Sequence, residues 1–331
     1  MAGNFRRNKK KPEAIENTGF SSLSNTEGSR LINKDGSANL RKTGMPFLDR
    51  ISLFHTLIHM KWPKFLLIVF LFYTAINSVF ALVYVIIGVD HLKGVSVEAE
   101  SLLNGFEQAF FFSSQTLTTV GYGHITPLGL TANIAAAIES FVGILSFAMM
   151  TGLLYGRFSL PKAYIKFSEN ILVAPHKGYR ALMIRLASYK NNHITDVEAK
   201  MTMAMHYMDN GKEVTRFYTP KLEIEKITSL ALSWTLVHLI DEDSPLFEMG
   251  LEELKQADIE IMYHIKGFDD HFSNIVQQRT SYTANEIVYG AKFLPAFHRS
   301  EDGSTTVLEL DKLNLHEPAK VPEPNESFIN S

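Results

Sequence analysis

The sequence predicts a helical membrane unit, two transmembrane helices with a shorter helix between them, followed by an all-β sandwich. Three observations carry this. Two long stretches, 65–88 and 131–155, hold one charged residue between them. Between them lies a Phe-rich segment, too short to span, that ends in Thr119-Val120-Gly121-Tyr122-Gly123. After about residue 172 the pattern changes to short strand-like runs separated by turn signals.

Composition sets the bounds. A chain of 331 residues has room for two domains. Hydrophobic residues make up 46%, with 23 Phe, which is rich for a soluble protein. The net charge of −3 is near balance and gives no reason to expect nucleic acid as a partner. The absence of cysteine excludes disulfides, thiolate catalysis and Cys-zinc sites. The first residues are polar and the first apolar run begins deep in the chain, so no cleavable signal peptide is expected.

In chain order, 1–28 is polar and aperiodic, with a basic cluster at Arg6, Arg7, Lys9, Lys10 and Lys11. It reads as a disordered tail; a solvated tail is the simpler reading and an anionic lipid surface the alternative. Within 29–46, the Lys34-Asp35-Gly36 turn with apolar flanks predicts a short strand that must pair with a sheet from elsewhere. Over 47–62, Phe47, Ile51, Phe54, Leu57 and Ile58 recur at helical spacing, with Asp49, Arg50, His55 and His59 between them. This is an amphipathic helix for a membrane interface, with Lys61 and Trp62 closing it and Pro63 breaking it, so that the segment is 47–63.

The membrane unit is 64–160. Residues 65–88 are uncharged, enough to cross a hydrocarbon core of about 30 Å. An acidic loop follows, with Asp90, Glu98, Glu100 and Glu107. Residues 104–117, with Phe106, Phe110, Phe111 and Phe112, form a re-entrant helix. Irregular backbone at membrane depth requires burial in protein or a water-filled cavity, and the 119–123 stretch meets that condition. The second helix, 131–157, holds Glu139 at membrane depth, a functional position by default. Two roles compete for it: bracing the back of the short helix and the 119–123 stretch, or facing an aqueous cavity and attracting cations. Its place in the outer half of the helix favours the first. Gly143 and Gly152 allow bending or close helix approach. Arg41, Lys42, Lys61 and Lys64 precede the first span, and Arg157, Lys162 and Lys166 follow the second. Basic groups on this side and acids in the loop put both termini in the cytoplasm of a multi-pass plasma-membrane protein.

Residues 161–315 carry strand-like runs at 181–186, 199–207, 230–240, 259–265, 275–280 and 305–310, with one short helix at 251–256. They predict an antiparallel, immunoglobulin-like β-sandwich. No Gly-x-Gly-x-x-Gly follows a strand, which argues against nucleotide regulation. The 316–331 segment, with Pro318, Pro322 and Pro324, reads as a disordered tail.

The 119–123 stretch has a clear physical use. A dehydrated cation needs several oxygen ligands, and backbone carbonyls supply them without fixed charge. Alternating left- and right-handed dihedrals turn successive carbonyls to one side, and glycine adopts left-handed values cheaply. Gly121 and Gly123 alternate with Val120 and Tyr122, whose side chains then pack away from the ion, while Thr119 adds a hydroxyl. The stretch resembles the potassium-selectivity filter, whose general signature is Thr-Val-Gly-Tyr-Gly.

With the pieces placed, residues 30–315 resemble an inward-rectifier potassium channel, most closely the prokaryotic branch. Lys34-Asp35-Gly36 with Asn39 resembles that family's N-terminal strand. His238-Leu239-Ile240-Asp241-Glu242-Asp243-Ser244-Pro245-Leu246, and Arg279-Thr280-Ser281-Tyr282 with Glu286-Ile287 and Gly290, resemble its cytoplasmic domain. The resemblance implies potassium coordinated at Thr119, Val120, Gly121 and Tyr122, with Thr118 beside them as support or cavity lining. It implies a slide helix at 47–62 and an inner gate at Thr151 and Tyr155. It implies a loop at the cytoplasmic pore apex, Lys266-Gly267-Phe268-Asp269-Asp270. Lys61, Trp62, Arg157 and Lys162 match lipid-facing positions where family members bind phosphoinositides, activating in animal members and inhibitory in bacterial ones. No cofactor beyond the permeant ion is implied. One filter per chain and a carbonyl cage of about four strands imply a homotetramer.

There are departures from the pattern. Phe147 stands where strong rectifiers carry an acid, so block by polyamines or Mg²⁺ is expected to be weak. Gln115 and Ile125 replace a Glu–Arg brace of animal members, and Glu139 is the candidate replacement. Lys266 replaces an acid at the pore apex, with Glu223 and Glu225 as candidates to compensate. The rival readings are a filter-bearing cation transporter subunit, which would normally carry several filters per chain, and a membrane-anchored β-sandwich adaptor with a vestigial pore. An enzyme is not expected: the 12 His show no metal spacing such as His-Glu-x-x-His, and no nucleophile–base pair stands out.

Overall fold

The computed structural model describes residues 14, 30–44, 46, 52–95, 102–209 and 212–323. The basic cluster at 6–11, the start of the expected slide helix at 47–51 and the last eight residues lie outside them. The chain divides into two compact units, 43–160 and 1–42 with 161–331.

The first unit begins with a short helix, Leu53–His59 (α1), capped by Ser52, whose hydroxyl accepts from the His55 amide at 3.4 Å. It is shorter than the 47–62 expected. Extended backbone at Met60 and Lys61 ends it, and Trp62 belongs to the next helix, Trp62–Ile87 (α2). Pro63 therefore starts a helix instead of breaking one, since proline in a first turn gives up an amide that had no partner anyway. At 26 residues α2 is about 39 Å long. The loop after it is more ordered than expected: a 3₁₀ turn at Val89–His91 leads into Leu92–Lys93 (β1). The re-entrant helix, Leu102–Leu117 (α3), starts two residues before the predicted 104. Thr126–Pro127 (β2) pairs antiparallel with β1, and Gly129–Phe158 (α4) is the second long helix. α2 and α4 are long and apolar enough to cross a membrane. Leu66, Leu67, Phe70 and Leu71 of α2, and Phe141 and Ile144 of α4, are exposed, as lipid-facing side chains would be. Ala81 and Tyr84 of α2, Ala109 and Phe112 of α3, and Ala135 of α4 form a core that holds α3 against both long helices.

The second unit is a β-sandwich. Its strands are Ile165–Phe167 (β3), Ile171–His176 (β4), Tyr179–Ser188 (β5), Ile194–Asp209 (β6), Lys212–Tyr218 (β7), Lys226–Ser229 (β8) and Ser233–Ile240 (β9). After the helix Leu251–Gln256 (α5), which lies where expected, come Glu260–Asp269 (β10), Asn274–Thr283 (β11), Ile287–Tyr289 (β12), Ala291–Phe293 (β13), Phe297–Arg299 (β14), Thr306–Leu308 (β15) and His316–Pro318 (β16). One sheet runs β11-β10-β6-β7 with β8 on β6; the other runs β12-β4-β5-β3 with β9 on β5. Inward side chains of both, among them Val173, Leu182 and Ile184 against Met201, Met203, Ile261 and Tyr263, form one core.

Four expectations need correction. The sandwich is not purely antiparallel, because β12 pairs parallel with β4. The strand expected at 230–240 starts only at Ser233. β8 belongs to one sheet and β9 to the other, so the chain changes sheet through 230–232, with the buried Leu230 bonded to the Ile194 carbonyl at 2.9 Å. The tail does not begin at 316, because β16 pairs with β13. The N-terminal segment is no strand: it makes a single bridge, Ile32 to Ala38, around the Lys34-Asp35 turn.

That segment is held by Glu260 of β10 and by Thr280, Ser281 and Glu286 of the family-like motif. Glu260 accepts from the Leu31 and Ile32 amides at 2.7 and 3.1 Å, the Ser281 hydroxyl bonds the Ile32 carbonyl, and Thr280 bonds the Lys34 carbonyl at 3.1 Å. Burial pushes the Glu260 carboxyl above the usual carboxylate range, against the pull of those two amides. Glu286 pairs with Arg30 at 2.5 Å and Lys34 at 2.6 Å. The other family-like motif is structural too. His238 bonds the Lys221 carbonyl through Nδ1 and the Ser244 hydroxyl through Nε2, both at 2.8 Å. The carbonyl requires a proton on Nδ1, and burial lowers the ring's pKa and favours the neutral form, in which Nε2 accepts from Ser244.

Candidate selectivity filter and its supports

The backbone through 119–123 alternates in hand. Thr119, Gly121 and Gly123 have φ of 59°, 51° and 78°, while Val120 and Tyr122 are absent from the left-handed region. Glycine takes two of the three left-handed positions; Thr119 takes the third at a cost of about 1 kcal/mol. The carbonyl of Gln115, near the end of α3, anchors the entry by accepting from the Val120 amide at 2.9 Å and the Gly121 amide at 3.2 Å. The Thr118 hydroxyl turns back to the Ser114 carbonyl at 2.7 Å. Val120 and Tyr122 are exposed in the single chain.

Behind the filter is a buried polar cluster. Glu139 of α4 is fully buried and accepts from the Tyr84 hydroxyl of α2 at 2.6 Å and from the Ser113 hydroxyl of α3. Ser113 Oγ also lies 3.1 Å from Asn77 Oδ1, and Asn77 bonds the Tyr73 carbonyl at 2.7 Å. Tyr73 bonds Ser114 by its hydroxyl. Three helices are thus joined through one buried carboxyl group. Ser113, Tyr84 and Asn77 were not legible as a group, because they lie on two helices and nothing local pairs them with Glu139 on a third. α4 also passes close under the filter at Gly143, where a Cβ would lie 2.1 Å from the Leu117 carbonyl oxygen.

A cavity of about 420 Å³ next to the filter entrance is lined by Leu117, Thr118, Thr119 and Phe147, with Phe72 and Met150. Phe147, Thr151 and Tyr155 are spaced by four along α4 and all are exposed, so they share one unpartnered stripe.

The residues expected at a lipid surface differ in what they touch. Lys61 and Trp62 stand at the start of α2, and Lys162 is exposed in the β unit. Arg157 is committed elsewhere. Its guanidinium bonds the carbonyls of Leu57, Ile58 at 3.0 Å and Met60 at 2.6 Å, and it stacks over the rings of Trp62 at 4.6 Å and Phe65 at 4.4 Å. It satisfies the carbonyls that the end of α1 leaves open and fixes the α1–α2 corner. Arg157→Lys keeps the charge but loses the planar fork, so hydrogen exchange of the 57–60 amides is expected to quicken by about tenfold. Unchanged protection would show that the corner holds without the guanidinium.

The expected apex loop is not a loop. Gly267, Phe268 and Asp269 lie within β10; Phe268 and Asp269 pair on both sides, and Gly267, at a bulge, pairs with β11 alone. Asp269 is fully buried and serves the turn, accepting from the His271 and Phe272 amides at 2.9 and 3.2 Å and from Asn192 at 2.8 Å. Of the two acids only Asp270 is exposed. Glu223 is taken by His176 at 2.8 Å and by Lys177.

Residues 165–331 match the family model of the inward rectifier potassium channel C-terminal domain, and residues 65–159 match an ion channel model. The chain is 30% identical over 268 residues to the inward rectifier potassium channel Kirbac3.1 of Paramagnetospirillum magnetotacticum, covering 81% of this chain and 88% of that protein. It is 28% identical over 294 residues to the human G protein-activated inward rectifier potassium channel 2, covering 83% and 68%. It is 32% identical over 203 residues to the human inward rectifier potassium channel 4, covering 58% and 46%. A solved structure of Spo0M, a sporulation control protein from Bacillus subtilis, overlaps 39% of this chain and 50% of its own at 10% identity, with a TM-score of 0.22, too low to carry an argument.

Proposed function

The chain belongs to the inward rectifier potassium channels of the prokaryotic type, and from that membership we propose that four copies close one pore with the 119–123 carbonyls lining it. It is a membrane ion channel and not an enzyme. The observation that carries the filter assignment is the alternation of hand at Thr119, Gly121 and Gly123 directly after a half-length helix set between two spans. Potassium then binds between the carbonyls of Thr119, Val120, Gly121 and Tyr122. One chain supplies one strand of the cage, and its exposed Val120 and Tyr122 find cover only against neighbours, which supports a homotetramer.

The stripe of Phe147, Thr151 and Tyr155 on α4 faces the pore axis in this arrangement, with Tyr155 as the narrow apolar gate. Phe147 in place of an acid gives the cavity little hold on polyamines, so rectification is weak. Two spans put both termini on one side, and the basic flanks make that side the cytoplasm of the plasma membrane. Lys61, Trp62 and Lys162 meet anionic lipid headgroups, while Arg157 acts on the corner of α1 and α2. The β-sandwich controls opening of the pore.

The test is thallium or rubidium flux into liposomes holding the full chain. Wild type is expected to conduct without saturating at moderate ion concentrations and to prefer potassium over sodium. Gly121→Ala is expected to remove that preference, because its φ of 51° costs an L-residue about 1 kcal/mol per strand, four times over in a tetramer. A silent wild type would leave only a vestigial pore; saturating uptake would indicate a transporter; unaltered selectivity in the variant would remove these carbonyls from the ion path.

A further inference from the structure

We propose that His55 and His59 form a bidentate site for a transition-metal dication, of the class Zn²⁺, Ni²⁺ or Cu²⁺, on the exposed side of α1. The sequence His55-Thr56-Leu57-Ile58-His59 has the one-turn spacing of a helical His pair without the glutamate of a metalloprotease. Ile58, the buried residue of α1, lies toward α4, where Ile58 and Phe54 approach Gly156. That leaves both histidines exposed, and their rings stack with centroids 4.2 Å apart and planes 28° apart. His59 Nδ1 sits 3.0 Å from the His55 carbonyl. A carbonyl only accepts, so Nδ1 carries the proton and the Nε2 lone pair is free for a metal. The same backbone bond sets the tautomer and ring angle of metal-ligating histidines generally.

The ligands select the class of ion. No cluster of three or more His, Cys, Asp or Glu exists among the described residues. Paired imidazole nitrogens suit Zn²⁺, Ni²⁺ and Cu²⁺, whereas Ca²⁺ and Mg²⁺ take oxygen ligands. Water completes the coordination, so the site is exchangeable and not a structural zinc site. Its effect is on α1 itself. A helix of seven residues is marginal alone, and a clamp across its turn adds order.

The experiment uses the tag-free full chain in detergent, titrated with CuCl₂ and followed by electron paramagnetic resonance. One Cu²⁺ per chain with coupling to two imidazole nitrogens is expected. His55→Gln and His59→Gln, both at exposed positions, should each weaken binding by at least about tenfold, since the chelate becomes a single ligand. ZnCl₂ should displace the copper and slow amide exchange across 53–60 in wild type and in neither variant. A one-nitrogen signal, equal affinity in both variants, or zinc protection that persists in them would overturn the assignment and place the metal on other histidines.

Discussion

Gly143→Ala is expected to cut thallium flux by at least about tenfold while the chain still folds. The added Cβ would sit 2.1 Å from the Leu117 carbonyl oxygen, 2.9 Å from its carbon and 3.2 Å from its Cα. All three are backbone atoms, so no side chain can swing aside. α3 and α4 must part by about 1 Å, an overpacking cost of about 1–3 kcal/mol. Leu117 ends α3 two residues before Thr119, so the displacement is delivered to the filter entrance. Gly152→Ala is the matched control, since nothing lies within 4 Å of its Cβ, and its flux should equal wild type. Equal flux in both variants would mean that the filter tolerates movement of α3.

The second large effect belongs to Glu139. Glu139→Ala leaves the hydroxyls of Tyr84 and Ser113 without an acceptor in an apolar interior, at about 1–3 kcal/mol each. A cavity adds to this. The expected order of thermal stability in detergent is wild type, then Gln, then Ala, with potassium selectivity failing in the same order. Tyr84→Phe and Ser113→Ala should each cost about 1 kcal/mol, and a double-mutant cycle between Ser113→Ala and Glu139→Gln should show coupling. If Glu139 instead faced the cavity, Ala would alter block by cations and leave stability unchanged.

These two residues mark the boundary of what was legible. Glu139 stands out in the sequence because a lone acid in an apolar span is conspicuous, and its place along the helix favoured the bracing role. Its partners could not be named, since hydrogen bonding across three helices depends on their rotation and depth. Gly143 was visible as a small residue, but its contact with Leu117 exists only where α4 crosses α3. Arg157 reads as a lipid-binding cation until the end of α1 is seen to leave carbonyls open beneath it. Asp269 and Asp270 are neighbours in sequence and opposite in fate, because Asp269 is the buried last residue of β10 and Asp270 opens the exposed turn after it.

By itself the sequence determined the two long apolar helices, the short helix between them, the glycine alternation at 119–123 and the strand-rich C-terminal half. Each of these is a local property: length of an apolar run, a glycine alternation that suits left-handed backbone, or a period of two. Only the tertiary structure decided which sheet each strand joined, where α1 stopped, and which polar groups join α2, α3 and α4. Those outcomes depend on contacts between residues far apart in the chain, where burial and hydrogen-bond satisfaction act on all elements at once and no single segment carries the answer.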